Sequence, residues 1–380
     1  MKVILFANTD WYLWNFRREL AIAIRRYNWE VVLVSPPGPF AERFMELGVR
    51  WIPLKMKRDS TNPLHELRSI AALWSIYRQE RPDLVHHFTL KSVIHGSLAA
   101  RLAGIHCQVN AIAGLGYIFS SQSAKARLLR PVVRMLLKAA LAGRSTMTIF
   151  QNPDDIAAFT AAGLVKQSQI KLIRGSGVDT RRFKPVPRDR DHRCRILLAT
   201  RLLWSKGVED YVEAARRLAS SGLDAEFLVA GTPDLGSPDC IPPDTIDAWR
   251  AEGHVTFLGH VDDIDHLLAS IDIVVLPSRY AEGIPRILLE AAASSAALIT
   301  TDRPGCREIV EDGLTGLLIR PGDTEALTMA LRSLIADPER RQQLGGAARR
   351  KAEAEFDEQF VIQSTMDVYR QTLSPNVALH

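Results

Sequence analysis

Two carboxylates stand close together in one segment of the chain, Glu282 and Glu290, eight positions apart. They follow a short apolar run, residues 271–276, of the kind that forms a buried strand. Pro285 then suits the first residue of a helix, where the missing N–H of proline is not needed. Glu282 is therefore expected in a loop at the carboxyl end of a strand. Glu290 is expected in the following helix, about 7–8 Å along its axis.

The start of that helix adds an anion site between the two acids, because its N–H groups are free and its dipole is positive there. Arg286 would lie in the first helical turn, where an exposed cation costs about 0.3–1 kcal/mol, and a bound anion would remove that conflict. A nucleotide sugar has the matching layout of sugar hydroxyls, diphosphate and ribose hydroxyls. Taken singly, each glutamate is more often a solvated or capping group, so this interpretation depends on the whole set.

A second set of candidate residues follows the predicted strand 195–200. Arg201 and Lys206 come just after its carboxyl end, and Gly207 allows the next helix to start close to a ligand. Two flexible cations directed at one site can hold a phosphate, whereas two solvated surface cations are the alternative. Breaking a sugar–phosphate bond leaves negative charge on the departing phosphate, and fixed cations beside a helix start can stabilise that charge.

The pattern Arg-x4-Lys-Gly from Arg201, followed by Pro-Ser-x3-Glu-Gly-x-Pro-x4-Glu ending at Glu290, resembles family 4 of the retaining glycosyltransferases. The resemblance covers nearly the whole chain and includes residues 174–183 and 257–259. It implies the two-domain GT-B fold. Within the family, the chain looks nearest to bacterial transferases that add sugars to polyprenyl-diphosphate-linked intermediates of cell-surface polysaccharide assembly.

The same resemblance implies roles for residues of the second half of the chain. Glu282 should contact the donor sugar near its C3 hydroxyl, and Glu290 should bind the ribose hydroxyls. Arg201 and Lys206 should hold the diphosphate and stabilise the leaving group. The other donor-binding candidates are Arg286, the backbone N–H groups of Gly283 and Ile284, and the backbone near Val255 and Leu258.

Strand-like and helix-like patterns alternate along the chain, which predicts an α/β protein with parallel, doubly wound sheets. The predicted strands are 3–7, 31–35, 50–54, 83–87, 107–111, 146–150, 195–200, 225–230, 254–258, 272–276, 297–300 and 316–319. The predicted helices are 15–27, 63–80, 91–103, 122–142, 208–220, 243–252, 286–296 and 324–356.

A proline-rich polar stretch, residues 185–193, interrupts this alternation and predicts a hinge between two Rossmann-like domains that face each other across a cleft. We expect residues 1–187 to form an acceptor-binding, membrane-facing domain and residues 188–360 to form a nucleotide-sugar-binding domain. Residues 361–380 are expected to form a C-terminal helix and tail that cross back to the first domain.

Charge is shared unevenly between the two halves of the chain. Residues 1–187 carry a net charge of +15 and residues 188–380 carry −10, and no acidic residue occurs from Leu84 to Pro153. Such asymmetry indicates an anionic partner for the first half, either a membrane surface or a nucleic acid. The cations alternate with aliphatic residues rather than with stackable aromatics, which disfavours a single-strand nucleic-acid binder.

Two segments of the first half favour the membrane. Residues 11–16 contain four aromatic side chains, including Trp11 and Trp14, beside Arg17, and this combination suits a lipid headgroup boundary, although the rings could equally be core residues. Residues 122–142 predict a basic amphipathic helix of the membrane-surface type, which Pro131 is expected to interrupt. The basic stripe of this helix consists of Arg127, Arg130, Arg134 and Lys138.

The first domain is expected to bind the acceptor. Relatives often carry a glycine-rich loop after the first strand and a His-x-His pattern after the fourth, whereas this chain has the aromatic run 11–16 and His86-His87-Phe88. Adjacent strand residues face opposite ways, so one of the two histidines should be packed in the core. The acceptor-binding candidates are Asn15, Arg17, His87, Lys91 and Tyr117.

No metal or cofactor is predicted. Two Asp-x-Asp pairs occur, at Asp189 and at Asp263, but neither follows a strand end as a ligand site would. Four scattered cysteines without CxxC spacing indicate a reducing compartment. No apolar run approaches eighteen residues, so we expect a cytoplasmic protein bound peripherally to the inner face of the plasma membrane.

The chain is therefore interpreted as a retaining glycosyltransferase. It is expected to move a hexose or N-acetylhexosamine from a nucleotide sugar, expected to be UDP-linked, to a lipid-diphosphate-linked saccharide. A UDP-sugar epimerase on the same fold is one alternative, but it would need additional acid and base carboxylates in a first half that holds only 12 acids. A basic nucleic-acid-binding protein is the other alternative.

Overall fold

The computed structural model describes the chain except for residues 58–59, 61, 115–123, 144, 187–192, 220 and 378–380, and it describes only the backbone of 124–126 and 375–377. Within these limits the chain forms two compact units. The first comprises Met1–Ser176 with Gln359–His380, and the second comprises Gly177–Glu358.

The first unit contains a sheet of seven parallel strands in the order β3-β2-β1-β4-β5-β6-β7. The strands are β1 (Lys2–Phe6), β2 (Glu30–Ser35), β3 (Arg50–Pro53), β4 (Leu84–Phe88), β5 (Gln108–Ile112), β6 (Thr146–Phe150) and β7 (Ile170–Leu172). The helices of this unit are α1 (Asp10–Arg26), α2 (Ala41–Glu46), α3 (Pro63–Glu80), α4 (Leu90–Leu102), α5 (Ala124–Leu141), α6 (Pro153–Ala161) and α13 (Glu358–Val377), which starts at the boundary of the units.

The second unit contains six parallel strands in the order β10-β9-β8-β11-β12-β13. The strands are β8 (Cys194–Ala199), β9 (Ala225–Ala230), β10 (Thr256–Gly259), β11 (Ile273–Leu276), β12 (Ala297–Thr301) and β13 (Leu317–Ile319). The helices are α7 (Val208–Ala219), α8 (Pro243–Glu252), α9 (Ile264–Leu268), α10 (Arg286–Ala293), α11 (Thr324–Ala336) and α12 (Pro338–Glu355). The predicted α/β class with two doubly wound parallel sheets is confirmed.

The contact boundary between the units falls after residue 176, earlier than the expected hinge, which lies largely within residues outside the described part of the chain. The segment from Gly177 joins the second unit because its apolar side chains fill that core. Val178 donates a hydrogen bond to the carbonyl of Phe356 at 2.9 Å, and Phe183 is fully buried beside Leu288. In the first unit, Tyr369 of α13 is buried in the core beneath the sheet.

Several element boundaries differ from the predicted ones for local reasons. Helix α1 begins at Asp10 rather than at 15, because the Thr9 hydroxyl caps it by accepting from the N–H of Tyr12 at 3.1 Å. The single helix predicted over 324–356 is two helices, since Asp337 caps a new helix that starts at Pro338. Strand β7 and helices α2, α6 and α9 were too short for the periodic pattern to reveal.

The expected interruption at Pro131 was wrong. Helix α5 continues through this residue from Ala124 to Leu141. Pro131 lies on the exposed side of the helix, where a hydrogen bond that proline cannot donate costs least, because water can take its place.

Candidate active site

The centre of the second sheet positions the main candidate residues. Strands β8 and β11 are hydrogen-bonded neighbours, and the chain leaves β8 toward β9 on one side while β12 and β13 follow β11 on the other. Ligands of open α/β sheets bind at such a switch point, outside the carboxyl ends of the strands. The turn that holds Lys206 follows β8 and the loop that holds Glu282 follows β11.

These two residues meet directly, 76 positions apart in sequence. The ammonium of Lys206 contacts Glu282 Oε2 at 2.5 Å, and the two side chains are only 9% and 12% exposed. Gly207 makes this approach possible because it adopts φ 71° and its α-carbon lies against the end of β11. A β-carbon at Gly207 would stand 2.2 Å from the carbonyl oxygen of Pro277.

The electrostatics of this pair favour a charged lysine. Burial by itself would lower the pKa of Lys206, but the carboxylate of Glu282 and the nearby Tyr280 outweigh burial and raise it. The ring of Tyr280 lies 5.0 Å from the ammonium. Glu282 Oε1 is buried and accepts no hydrogen bond from the residues that the structure describes. A ligand hydroxyl that donates a hydrogen bond to this buried oxygen would therefore stabilise it.

A loop that the sequence analysis did not single out supports Glu282 from behind. The N–H of Glu282 donates to the carbonyl of Pro304 at 3.1 Å. Gly305 has φ +87°, and a β-carbon there would stand 1.6 Å from the carbonyl oxygen of Gly283. The Pro304-Gly305 dipeptide is a turn signal that could have indicated this loop. Its effect is to hold the backbone of residues 282–283 in one position.

The second acid, Glu290, lies in a separate charged cluster on α10. The guanidinium Nε of Arg286 donates to Glu290 Oε1 at 2.6 Å. Burial raises the pKa of Glu290, and the opposing charges of Arg286 and Arg182 reduce that rise. Arg182 in turn contacts Asp265 Oδ1 at 2.7 Å. Sequence reasoning assigned no role to Arg182 or Asp265, because they lie 83 positions apart.

The helix start differs from the expectation in two respects. Helix α10 begins at Arg286, with Pro285 immediately before it as the capping residue. The guanidinium of Arg286 is paired with Glu290 one turn later, so the conflict with the helix dipole is relieved within the helix itself. The conflict is thus reduced before any anion binds, and an anion site at this helix start stays a prediction.

The remaining donor-site candidates are spread along the same edge of the sheet. Arg201 is half-exposed and pairs with Asp234 at 2.6 Å instead of joining the Lys206–Glu282 pair. Val255 is buried immediately before β10, and Leu258 within β10 is partly exposed. Gly283 and Ile284 follow Glu282 directly, next to the start of α10.

In the first unit, the acceptor candidates do not form one set. Arg17 is buried, and its guanidinium stacks over the ring of Phe88 at 4.5 Å. Its Nη2 donates a hydrogen bond to the Tyr12 hydroxyl oxygen at 3.2 Å. Asn15 donates to the carbonyl of Trp11 within its own helix. Lys91 pairs with Glu66 at 3.0 Å, and Tyr117 lies outside the described residues.

Both histidines of β4 are core residues. His87 is fully buried, and its ring nitrogens face the Tyr77 hydroxyl at 3.0 Å and Asn110 Oδ1 at 2.8 Å. Burial lowers the pKa of His87 to about 4. His86 is buried on the other face against the Tyr369 hydroxyl. The acceptor contact expected of His87 does not fit this placement, because its side chain is directed into the interior between α3 and β5.

The membrane candidates are divided between two helices. On α1, Trp11 is exposed, whereas Trp14 is partly buried and stacks on Phe40 at 6.0 Å. On α5, Arg127, Arg134 and Lys138 are exposed and Arg130 is partly buried. The apolar side chains of α5 are divided between two sides of the helix, because Leu137 and Leu141 are buried while three others face outward. Those three are Leu128, Val132 and Met135.

The described residues form neither a metal-binding cluster nor a membrane-spanning helix. They hold no group of three His, Cys, Asp or Glu side chains placed to bind a metal ion. Among the helices that the structure describes, none combines the length and apolar character needed to cross a bilayer.

The two units each match a model of one enzyme class. Residues 179–351 match the glycosyl transferases group 1, and residues 2–152 match the glycosyl transferase 4-like proteins. The two matches together cover most of the chain, which belongs to family 4 of the glycosyltransferases.

Curated relatives extend the similarity over whole chains. The N,N'-diacetylbacillosaminyl-diphospho-undecaprenol alpha-1,3-N-acetylgalactosaminyltransferase of Campylobacter jejuni is 27% identical over 98% of this chain and 99% of its own length. The UDP-Gal:alpha-D-GlcNAc-diphosphoundecaprenol alpha-1,3-galactosyltransferase of Escherichia coli is 26% identical over 79% of this chain and 78% of its own. Neither the epimerase nor the nucleic-acid-binding alternative is supported.

Solved structures agree on the fold. Alr3699/HepE of Anabaena in complex with UDP superposes with a TM-score of 0.78 at 20% identity, over 98% of this chain and all of that one. The sucrose-phosphate synthase of Thermosynechococcus elongatus gives a TM-score of 0.80 at 20% identity, over 99% of this chain. The predicted GT-B class is confirmed.

Proposed function

We propose that this glycosyltransferase moves a hexose or N-acetylhexosamine from a UDP-sugar to a lipid-diphosphate-linked saccharide, with retention of the anomeric configuration. The observation that carries the proposal is the buried Lys206–Glu282 pair at the switch point, in which one carboxylate oxygen contacts the cation and the other accepts no hydrogen bond within the described part of the chain. Two relatives described above have names that specify diphosphoundecaprenol-linked sugars, and this supports a lipid-diphosphate-linked acceptor. The UDP complex of the Anabaena protein supports the nucleotide.

In this proposal the donor rearranges the charges of the site. The ammonium of Lys206 turns from Glu282 toward the diphosphate, and Glu282 accepts a hydrogen bond from a sugar hydroxyl. The bond between the anomeric carbon and the phosphate oxygen breaks, and its electron pair stays on the departing UDP. The oxygen of an acceptor hydroxyl forms the new bond to that carbon on the same face, and the hydroxyl proton passes to the departing diphosphate. Lys206 and the N–H groups at the start of α10 stabilise that charge. Arg201, five positions before Lys206 in the sequence, can exchange its contact with Asp234 for one with the same diphosphate.

Glu290 has the complementary task at the nucleotide end. An ionised carboxylate can accept hydrogen bonds from two adjacent hydroxyls, which suits a ribose diol. Arg286 fixes the orientation of the carboxyl group through Oε1. The backbone of β10 near Val255 and Leu258 is the proposed contact for the nucleotide base.

A transfer assay tests the proposed function. Purified protein is incubated with UDP-glucose, UDP-galactose, UDP-N-acetylglucosamine or UDP-N-acetylgalactosamine and with a short polyprenyl-diphosphate-linked saccharide, and the product is analysed by mass spectrometry and NMR. We expect one donor to give a product with the anomeric configuration of the donor. Inversion would contradict the mechanism, and epimerised donor without any acceptor product would contradict the function.

We also propose that α5 binds an anionic membrane at the inner face of the plasma membrane. Its outer face, here called the α5 face, combines exposed cations with exposed apolar side chains, Leu128 being 79% exposed and Met135 64% exposed. Acidic side chains would repel an anionic bilayer, and the chain has none from Leu84 to Pro153. The α5 face consists of Arg127, Leu128, Val132, Arg134, Met135 and Lys138.

The membrane proposal predicts a difference between two exposed methionines on helices. Met135→Ser should weaken partitioning onto vesicles containing anionic lipid about tenfold, since the burial of a methionine side chain contributes about 1.5–3 kcal/mol. Lys138→Glu should weaken it by a similar factor at low salt. Met329 of α11 is 57% exposed, and Met329→Ser is the matched control that should leave partitioning unchanged. Equal binding of all three variants in flotation experiments would contradict the assignment of α5.

A further inference from the structure

Four charged side chains of alternating sign surround the nucleotide end of the candidate site. Arg286 contacts Glu290 at 2.6 Å, and Arg182 contacts Asp265 at 2.7 Å. The two pairs are neighbours, because α9, which carries Asp265, packs against α10, which carries Arg286 and Glu290. In this arrangement the charge of Arg182 lowers the pKa of Glu290 and the charge of Asp265 raises it. Only Glu290 and Arg286 belong to the motif that the sequence analysis recognised.

Each member of the second pair is held by its own element. Arg182 precedes Phe183, which is fully buried in the core of the second unit, and its guanidinium lies 5.4 Å from that ring. Asp265 lies on the short helix α9, which packs against α10. Val178 donates to the carbonyl of Phe356 and accepts from the N–H of Glu358, and these two hydrogen bonds anchor the segment that carries Arg182. Both residues are therefore held in place by packed elements, although the Arg182 side chain is 40% exposed.

The charge state of Glu290 depends on competing effects. Burial raises its pKa most, Arg286 and Arg182 lower it, and Asp265 raises it again. Asp265 itself has a lowered pKa because it accepts from Arg182, so it is charged wherever Glu290 titrates. The other charged groups near this cluster are His266 on α9, Asp179 before Arg182, and the Arg349–Glu353 pair on α12, whose Arg349 also donates to the carbonyl of Ala293 at the end of α10.

We propose that Arg182 and Asp265 are positioning residues that set the charge of Glu290 from opposite sides and so fix the pH range over which the second unit binds a nucleoside diphosphate. The inference rests on the proposed function, in which Glu290 accepts hydrogen bonds from a ribose diol. A protonated carboxyl offers one donor in place of an acceptor, so the diol is bound well only while Glu290 is ionised.

Arg182 and Asp265 shift the pKa of Glu290 in opposite directions, so their replacements should shift the pH dependence of binding in opposite directions. Arg182→Gln removes a charge that favours ionised Glu290 and also leaves Asp265 uncompensated, so the pKa of Glu290 rises and tight binding is lost at a higher pH. Asp265→Asn removes an opposing charge and leaves Arg182 fully effective, so binding persists to a lower pH. We expect each midpoint to move by about one pH unit, which corresponds to about a tenfold change in Kd at a fixed pH below the midpoint.

The measurement is the Kd of UDP by calorimetry from pH 4.5 to pH 8 for the full chain and its variants. Glu290→Gln removes the titrating group, and its profile isolates the part of the pH dependence that belongs to UDP. Arg182→Lys keeps the charge and should keep the midpoint near that of the unchanged protein. Circular dichroism at each pH establishes that the variants are folded, and if Arg182→Gln is not, the comparison of Arg182→Lys with Asp265→Asn decides.

The outcomes separate the inference from the proposed function. If the unchanged protein does not bind UDP at all, the proposed donor is wrong. If it binds UDP with a pH-dependent component that is missing from the Glu290→Gln profile, but Arg182→Gln and Asp265→Asn move the midpoint of that component in the same direction or not at all, the inference is overturned. Opposite movements support it, because a purely structural role would weaken binding in both variants at every pH.

Discussion

Replacing Lys206 by methionine is expected to lower kcat for sugar transfer by about 10²–10³-fold, the usual effect of removing one preorganised group that stabilises developing charge. Methionine preserves most of the side-chain volume but cannot meet the negative charge on the departing diphosphate. The same change should also destabilise the second unit by about 3–5 kcal/mol, since it leaves the buried carboxylate of Glu282 without its cation.

A double variant separates these two effects. Lys206→Met with Glu282→Gln replaces both charges, so the stability measured by urea unfolding should return to within about 1 kcal/mol of the unchanged protein while transfer stays lost. Glu282→Gln alone should lose turnover because an amide is a weaker hydrogen-bond partner for the sugar than a carboxylate. Full turnover by folded Glu282→Gln would remove Glu282 from its proposed role.

The chain offers a matched control for the lysine. Lys351 also pairs with a glutamate, Glu311, at 2.6 Å, but that glutamate is 51% exposed and the pair lies away from the strand ends. Lys351→Met should cost at most about 1 kcal/mol, as exposed ion pairs do, and leave kcat unchanged. If Lys206→Met and Lys351→Met behaved alike in both measurements, the catalytic assignment of Lys206 would fail.

Gly305→Ala is expected to destabilise the second unit by about 3 kcal/mol and to raise KM for the donor. Any L-residue at φ +87° costs about 1–2 kcal/mol, and the added β-carbon would also overlap the carbonyl oxygen of Gly283. That overlap forces the backbone of residues 282–283 to move. Because Glu282 is held by this loop, the donor should bind less well even in protein that remains folded.

Gly313→Ala distinguishes backbone strain from contact. Gly313 has a similar φ of +74°, but nothing lies within 4 Å of a β-carbon added there. Its substitution should cost only the conformational part, about 1–2 kcal/mol, and leave KM unchanged. The two alanine variants are compared by thermal unfolding and donor titration. Equal stability and equal KM would show that the Gly305–Gly283 approach does not position the donor loop.

Local patterns were sufficient for much of this protein. The alternation of apolar runs with helical periodicity predicted two parallel α/β sheets. The turn signals predicted Arg201, Lys206 and Glu282 after strand ends of the second sheet and Glu290 in the helix that follows. Both kinds of prediction depend on neighbours along the chain, because side-chain period and turn residues act over a few positions.

Only the tertiary structure decided which of these residues meet. Strand order placed Lys206 against Glu282 and left Arg201 with Asp234. It also brought Arg182 to Asp265 beside Glu290, and buried His87 with both ring nitrogens occupied. Such pairs join segments that are tens of residues apart, and their contact depends on how the strands are ordered and how the helices pack. The periodic pattern of a short segment does not specify strand order. The contacts between these residues could therefore not be predicted before the order of the strands in the sheet was known.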